Sequence, residues 1–191
     1  MTNHGVNAIL GQKGGDGVKV RNMALCGLFA AVLTVCAWIA IPVGDMAVTL
    51  QTFAVALTLW LLGGKQGSIT VFVYLLLGAI GAPVFSGFRG GMGALLGTTG
   101  GYLFGFMLTA LAYWLITFLV NTPLSRVLAM VAGLLLCYIC GTVWYAFGYL
   151  DFSAVSLGFV LLRCVVPYLI PDGIKLFLAW LLAQRLRRFV Y

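Results

Sequence analysis

The chain has 191 residues, 63% of them apolar and 8% charged, with 11 Lys or Arg against 4 acidic residues, all of them Asp. Seven of these charges lie near the two ends (Lys13, Asp16, Lys19, Arg21, Arg185, Arg187, Arg188), leaving eight across 22–184. A soluble domain carries about 25% charged residues, so this stretch excludes a soluble enzyme, a nucleic-acid-binding domain and a disordered regulator; it predicts an all-α, polytopic protein of the lipid bilayer. A β-barrel is excluded as well, because the apolar runs lack the alternation of barrel strands.

Residues 1–20 are polar and Gly-rich and read as a flexible tail with no cleavable leader, which leaves 21–191 as one membrane domain. The first span is expected over 22–41, ending at Pro42, Gly44 and Asp45. The second, over 47–62, is short and Thr-rich, and the basic turn Gly63–Gly67 with Lys65 separates it from a third over 68–85. A Gly-rich loop at 86–99 carries Arg89. Spans follow over 100–120 and 127–149, joined by the turn Asn121–Arg126, and a loop then holds Asp151 and Ser153. As one helix, 154–187 would be about 50 Å long, too long for a hydrocarbon core of about 30 Å, and Pro167 and Pro171 interrupt it. The split is a short apolar segment, 154–166, and a sixth span over 171–189 with Pro171 in its first turn.

Six transmembrane helices with both termini cytoplasmic place eight of the eleven basic residues inside, as the positive-inside rule requires. Asp45, Arg89, Asp151, Arg163, Asp172 and Lys175 then gather in the outer half. The expected location is the cell membrane, as a multi-pass protein.

Three features stand out. Asp172 and Lys175 are three residues apart and share a helix face, within Pro167-Tyr168-Leu169-Ile170-Pro171-Asp172-Gly173-Ile174-Lys175. Ionisable groups inside a membrane mark functional sites by default; a structural ion pair and a ligand-binding pair both fit. Residues 78–105 hold ten glycines in 28 positions around Arg89 and before Tyr102. Such backbone bends tightly and exposes N–H groups, and Arg89 can grip a carboxylate through two parallel hydrogen bonds; a solvated loop Arg is the alternative. Gly27 and Ala31 form a small-x-x-x-small pair in the first span, suited to close helix approach, either within the chain or against another membrane subunit. Gln51 is placed to bond a polar ligand or a neighbouring helix. Trp144 and Tyr145 suit a pocket wall or an interfacial belt.

Cys137 and Cys140 form a C-x-x-C inside a span and read as small packing residues. The single histidine, His4, supplies no triad or metal site, and no G-x-x-x-x-G-K-[ST] is present. No catalytic residue, metal or cofactor is expected, and ATP-driven work would fall to a partner.

Taken together, Ile41-Pro42-Val43-Gly44 through Thr49-Leu50-Gln51-Thr52-Phe53, Leu77-Gly78-Ala79-Ile80-Gly81-Ala82-Pro83-Val84-Phe85 through Arg89-Gly90-Gly91 to Gly100-Gly101-Tyr102, and Pro167-Tyr168 with Asp172 and Lys175 resemble the BioY family over about 22–188. These are the biotin-binding S-components of energy-coupling factor (ECF) importers. The resemblance implies a six-helix subunit of the bacterial plasma membrane that captures biotin from outside. It implies partners too: an EcfT-like membrane subunit and two cytoplasmic ATPases. It assigns biotin contacts to Arg89, Asp172 and Lys175, with Gln51 and Tyr102 in the same motif stretches. The family's A-x-x-x-A docking pattern falls on Gly27 and Ala31, with Gly in place of the first Ala. An S-component or transporter for another vitamin is the nearest alternative. The mostly apolar pocket with a few polar groups that biotin needs agrees with this composition.

Overall fold

Residues 3–43, 46–149 and 165–190 are described by the computed structural model. In chain order they form helix α1 (Asn3–Trp38), strands β1 (Ala40–Val43) and β2 (Met46–Thr49), helix α2 (Gln51–Ala79), a 3-10 turn (Ser86–Phe88), and helices α3 (Met92–Leu95), α4 (Gly100–Leu119), α5 (Pro123–Tyr149) and α6 (Val166–Val190). Among the described residues five segments are long and apolar enough to cross a membrane: Gly17–Trp38, Gln51–Ala79, Gly100–Leu119, Pro123–Gly148 and Val166–Arg188.

The second of these is not a straight rod. Gly63 sits at φ 77°, ψ 173° inside it, a conformation that glycine adopts without a Cβ penalty. A straight helix would hold residues 51 and 74 about 34 Å apart, yet Gln51 Nε2 donates to the Tyr74 hydroxyl at 2.7 Å. A Cβ on Gly67 would lie 2.7 Å from Leu59 Cδ2, so the two halves pack directly on one another. α2 is therefore a helical hairpin, and its halves, 51–62 and 64–79, are the second and third of the six expected membrane helices.

α4 and α5 meet through small residues. A Cβ on Gly101 would lie 2.2 Å from Trp144 Cβ, and one on Gly105 would lie 2.7 Å from Cys137 Sγ. Without hydrophobic gain in lipid, close backbone approach and interhelical hydrogen bonds hold such pairs. Thr109 Oγ1 accordingly bonds both the Gly105 carbonyl of its own helix, at 2.9 Å, and the Gly133 carbonyl of α5, at 2.8 Å. α5 opens with a reciprocal cap: the Thr122 N–H donates to Ser125 Oγ and the Ser125 N–H to Thr122 Oγ1, at 2.9 and 3.1 Å. Pro123 follows at the first helical position, where its missing N–H is harmless.

Several expected boundaries move. α1 begins at Asn3, so no break separates residues 3–20 from the first span; no proline interrupts this stretch. The first span stops at Trp38 and the second starts at Gln51. Between them β1 and β2 pair antiparallel, with Ala40 opposite Thr49 and Val43 opposite Met46. Pro42 cannot donate to a helical ladder but is tolerated in a two-stranded hairpin, where β-branched Ile41, Val43, Val48 and Thr49 are favoured. The third span gives way at residue 80 to a loop. α6 starts at Val166, so Pro171 lies in its second turn. The missing N–H is that which would reach Pro167 C=O, so a single bond near the helix start is lost. Asp45, Asp151, Ser153, Arg163, Cys164 and most of the segment 154–166 lie outside the described residues.

Candidate small-molecule binding site

A cavity of about 240 Å³ opens among the β-hairpin, the Gly-rich loop and helices α2, α4, α5 and α6, and its wall includes Gln51, Arg89, Tyr102, Asp172 and Lys175. All five sequence-expected binding residues thus meet at one place, from four separated stretches of chain.

α6 supplies the charged floor. Asp172 and Lys175, one turn apart on a helix face, are 4% and 7% exposed. Lys175 Nζ bonds Asp172 Oδ1 at 2.7 Å. From α5, the Tyr138 hydroxyl donates to Asp172 Oδ2 at 2.6 Å. A buried ion pair persists only where geometry and further hydrogen bonds compensate its desolvation, and Tyr138 provides one such bond. The arrangement also leaves capacity for a ligand. A carboxylate has about four acceptor sites and an ammonium three donors; the two bonds described use two of the former and one of the latter.

Arg89 stands at the rim, on a loop whose shape depends on glycine. Gly81, Gly87 and Gly91 adopt positive φ. A Cβ on Gly90 would lie 2.1 Å from the Ala82 carbonyl oxygen, so the loop can double back only with glycine there. The Phe85 N–H reaches the Arg89 carbonyl at 2.9 Å, and the Gly91 N–H reaches Gly78 O at 2.6 Å. Trp38 clamps the loop to α1, donating Nε1–H to Pro83 O at 2.9 Å and packing on Phe88 with ring centroids 4.8 Å apart. Arg89 is exposed. Its Nε–H donates to Ser86 O at 3.2 Å, and no carboxylate among the described residues pairs with it. The Nη donors remain for an anion.

Gln51 is held at both ends of its amide within the protein. It accepts from Thr49 Oγ1 at 3.0 Å and donates to Tyr74 at 2.7 Å, while Tyr74 donates to Val84 O at 3.0 Å. The Gln51 side chain lines the cavity and bonds between the halves of α2. Tyr102 is fixed against Gly141, whose Cβ would fall 2.4 Å from the ring. Trp144 and Tyr145 do not line the cavity. Trp144 instead donates to Gly97 O at 3.1 Å and pins the loop. Cys137 and Cys140 are unbridged, and Cys137 packs against Gly105, as small residues do. Gly27 and Ala31 lie on the exposed face of α1, and a Cβ on Gly27 would meet nothing within 4 Å. Among the described residues, no neighbour packs on Gly27.

Tyr138 was missed by sequence reasoning, as were the apolar wall residues Phe85, Leu103 and Phe106 and the more polar Tyr168. A lone phenol amid the apolar run before Cys140 was the available signal for Tyr138, since buried Tyr hydroxyls usually find a partner.

A mostly apolar cavity with, among the described residues, one carboxylate and two cations, set in a bundle of membrane helices, defines a multi-pass membrane protein that binds a small organic molecule with polar ends. The chain belongs to the BioY family, whose model matches residues 6–191. It is 41% identical over 170 residues to the biotin transporter BioY of Thermotoga maritima, covering 88% of this chain and 97% of that protein. It is 36% identical over 172 residues to the probable biotin transporter BioY of Pyrococcus horikoshii, covering 89% and 98%. In fold it is similar to the crystal structure of the S-component for biotin from an ECF-type ABC transporter, with a TM-score of 0.78 at 24% identity over 98% of this chain and 95% of that one. A second S component of a bacterial ECF transporter superposes with a TM-score of 0.58 at 14% identity, covering 90% and 98%.

Proposed function

We propose that the chain is a biotin-specific S-component of an ECF-type importer, a binding subunit and not an enzyme. The observation that carries this reading is the meeting of Asp172, Lys175 and Arg89 in one cavity whose surface is mostly apolar. Biotin offers two ureido N–H donors, a ureido C=O acceptor, an apolar bicycle and chain, and a carboxylate. Among the described residues Asp172 is the only carboxylate of the cavity wall, so a ureido N–H is matched there and the ureido oxygen meets Lys175. Phe106 and Leu103 receive the apolar body, with Tyr102 beside them. The carboxylate then lies towards the rim, where Arg89 meets it with two parallel bonds and water shares the load. Gln51 holds the wall.

Lys65, Arg126 and the basic end of α6 gather at the opposite end of the bundle, which supports cytoplasmic termini and a cavity open to the outside. The exposed Gly27–Ala31 face suits an EcfT-like membrane subunit, with two cytoplasmic ATPases supplying the energy. On this reading residues 21–191 make up the membrane domain.

The test is titration of the purified, folded protein with biotin in the absence of ATP, with other vitamins as competitors. Saturable binding that only biotin displaces is expected. No saturation up to micromolar biotin, or equal displacement by another vitamin, overturns the proposal.

A further inference from the structure

A second cavity, of about 520 Å³, lies at the far end of the bundle, lined among others by Trp60, Lys65, Asn121, Arg126 and Arg187. It is remote from the biotin site: along α6 alone, Asp172 and Arg187 are separated by about 22 Å. Its cations come from three different places, the turn after Gly63, the start of α5 and the end of α6, and among the described residues its wall holds no carboxylate. Lys65 has no hydrogen-bond or ion-pair partner among the described residues. Arg126 is oriented by Asn121, whose Oδ1 accepts from its Nε and Nη2 at 3.1 and 2.9 Å. Among the described residues Arg187 reaches only the Trp60 carbonyl, at 3.5 Å, and the buried Trp60 indole N–H has no acceptor. Like charges converging without an anion repel one another, and planar guanidinium groups fit phosphate oxygens in pairs. Basic pockets between membrane helices are suited to lipid phosphates.

We infer that this cavity binds a phosphate-bearing anion, with Arg126, Arg187 and Lys65 as its ligands. Asn121 keeps the Arg126 guanidinium plane in place through its side-chain oxygen. The same chemistry is offered by an anionic lipid headgroup and by free phosphate, and two measurements separate them.

Native mass spectrometry of the full chain, released from mixed phosphatidylglycerol and phosphatidylcholine, reads lipid retention. Thermal unfolding in phosphate against chloride at equal ionic strength reads the free ion. About tenfold preferential retention of phosphatidylglycerol, falling below threefold in Arg126→Gln/Arg187→Gln, assigns the site to a lipid headgroup. A rise in Tm with phosphate that the same variant abolishes, without lipid preference, assigns it to the free anion. Biotin affinity within twofold of wild type certifies that the variant is folded; if it is not, Lys65→Gln takes its place in both measurements. Equal retention of the two lipids together with no phosphate effect overturns the inference, as does an effect that survives the substitutions.

Discussion

At the floor of the cavity between the β-hairpin and α6, Asp172 and Lys175 stand one turn apart on a regular helix, buried, bonded to each other and braced by Tyr138. At the rim, Arg89 stands on a loop that doubles back through Gly81, Gly87, Gly90 and Gly91, exposed and without a carboxylate partner among the described residues. The floor places charge through side chains on a rigid element, where desolvation strengthens every interaction and penalises every loss. The rim places charge through backbone conformation, where water softens both. Substitutions at the floor should therefore affect stability and binding together, whereas those at the rim should separate the two.

The sharpest test of that difference is Asp172→Ala, which strands Lys175 as a buried, unpaired cation. Breaking such a pair costs about 3–5 kcal/mol, so thermal unfolding should fall and biotin affinity should drop more than a hundredfold by calorimetry. Asp172→Asn should keep most of the stability and still lose affinity; unchanged affinity would remove Asp172 from the site. Next comes Gly90→Ala, whose Cβ meets the Ala82 carbonyl. It should displace the rim and weaken biotin by about tenfold to a hundredfold, with a much smaller change in the Tm of the bundle. Equal losses in both readouts would erase the contrast between rim and floor.

Arg89→Gln should weaken biotin by about tenfold, as expected for a charge-assisted bond shared with water, and leave the binding of biotin methyl ester almost unchanged. If the ester suffers as much as the acid, the carboxylate lies elsewhere. Tyr138→Phe is the mildest, because Asp172 keeps Lys175 after losing one hydrogen bond. A loss of a fewfold in affinity is expected, and no change would confine Tyr138 to packing.

The floor was legible in the sequence because a charged pair at helical spacing inside an apolar stretch has few readings. Arg89 was legible because the glycines around it are so dense. Tyr138 was not, since its role depends on how α5 faces α6, and no local pattern encodes that facing. The helix count was recoverable from apolar run lengths, and the reversal after residue 62 from Gly63-Gly64. The β-hairpin at 40–49 escaped because its residues are as apolar as the spans beside them, so hydropathy could not separate strand from helix. Pro171 misplaced the start of α6: a proline fits the first turn best, yet this helix carries one in its second turn at the loss of a single bond.

The hairpin in α2 has a consequence for the surrounding lipid. Its halves rise about 18 Å and 24 Å, against a hydrocarbon thickness of about 30 Å, while α5 is long enough to cross with length to spare. Residues 54–62 are buried in the core, so lipid meets the second half through Ile69, Phe72 and Leu76, and that flank of the protein is shorter than the one α5 forms. Lipids beside the short flank must compress, or the whole bundle must lean, and either response carries a cost for each ångström of mismatch. The surrounding membrane is thereby given a preferred side and a preferred thickness, a bias that reaches beyond the protein's own surface to whatever else shares that patch of bilayer.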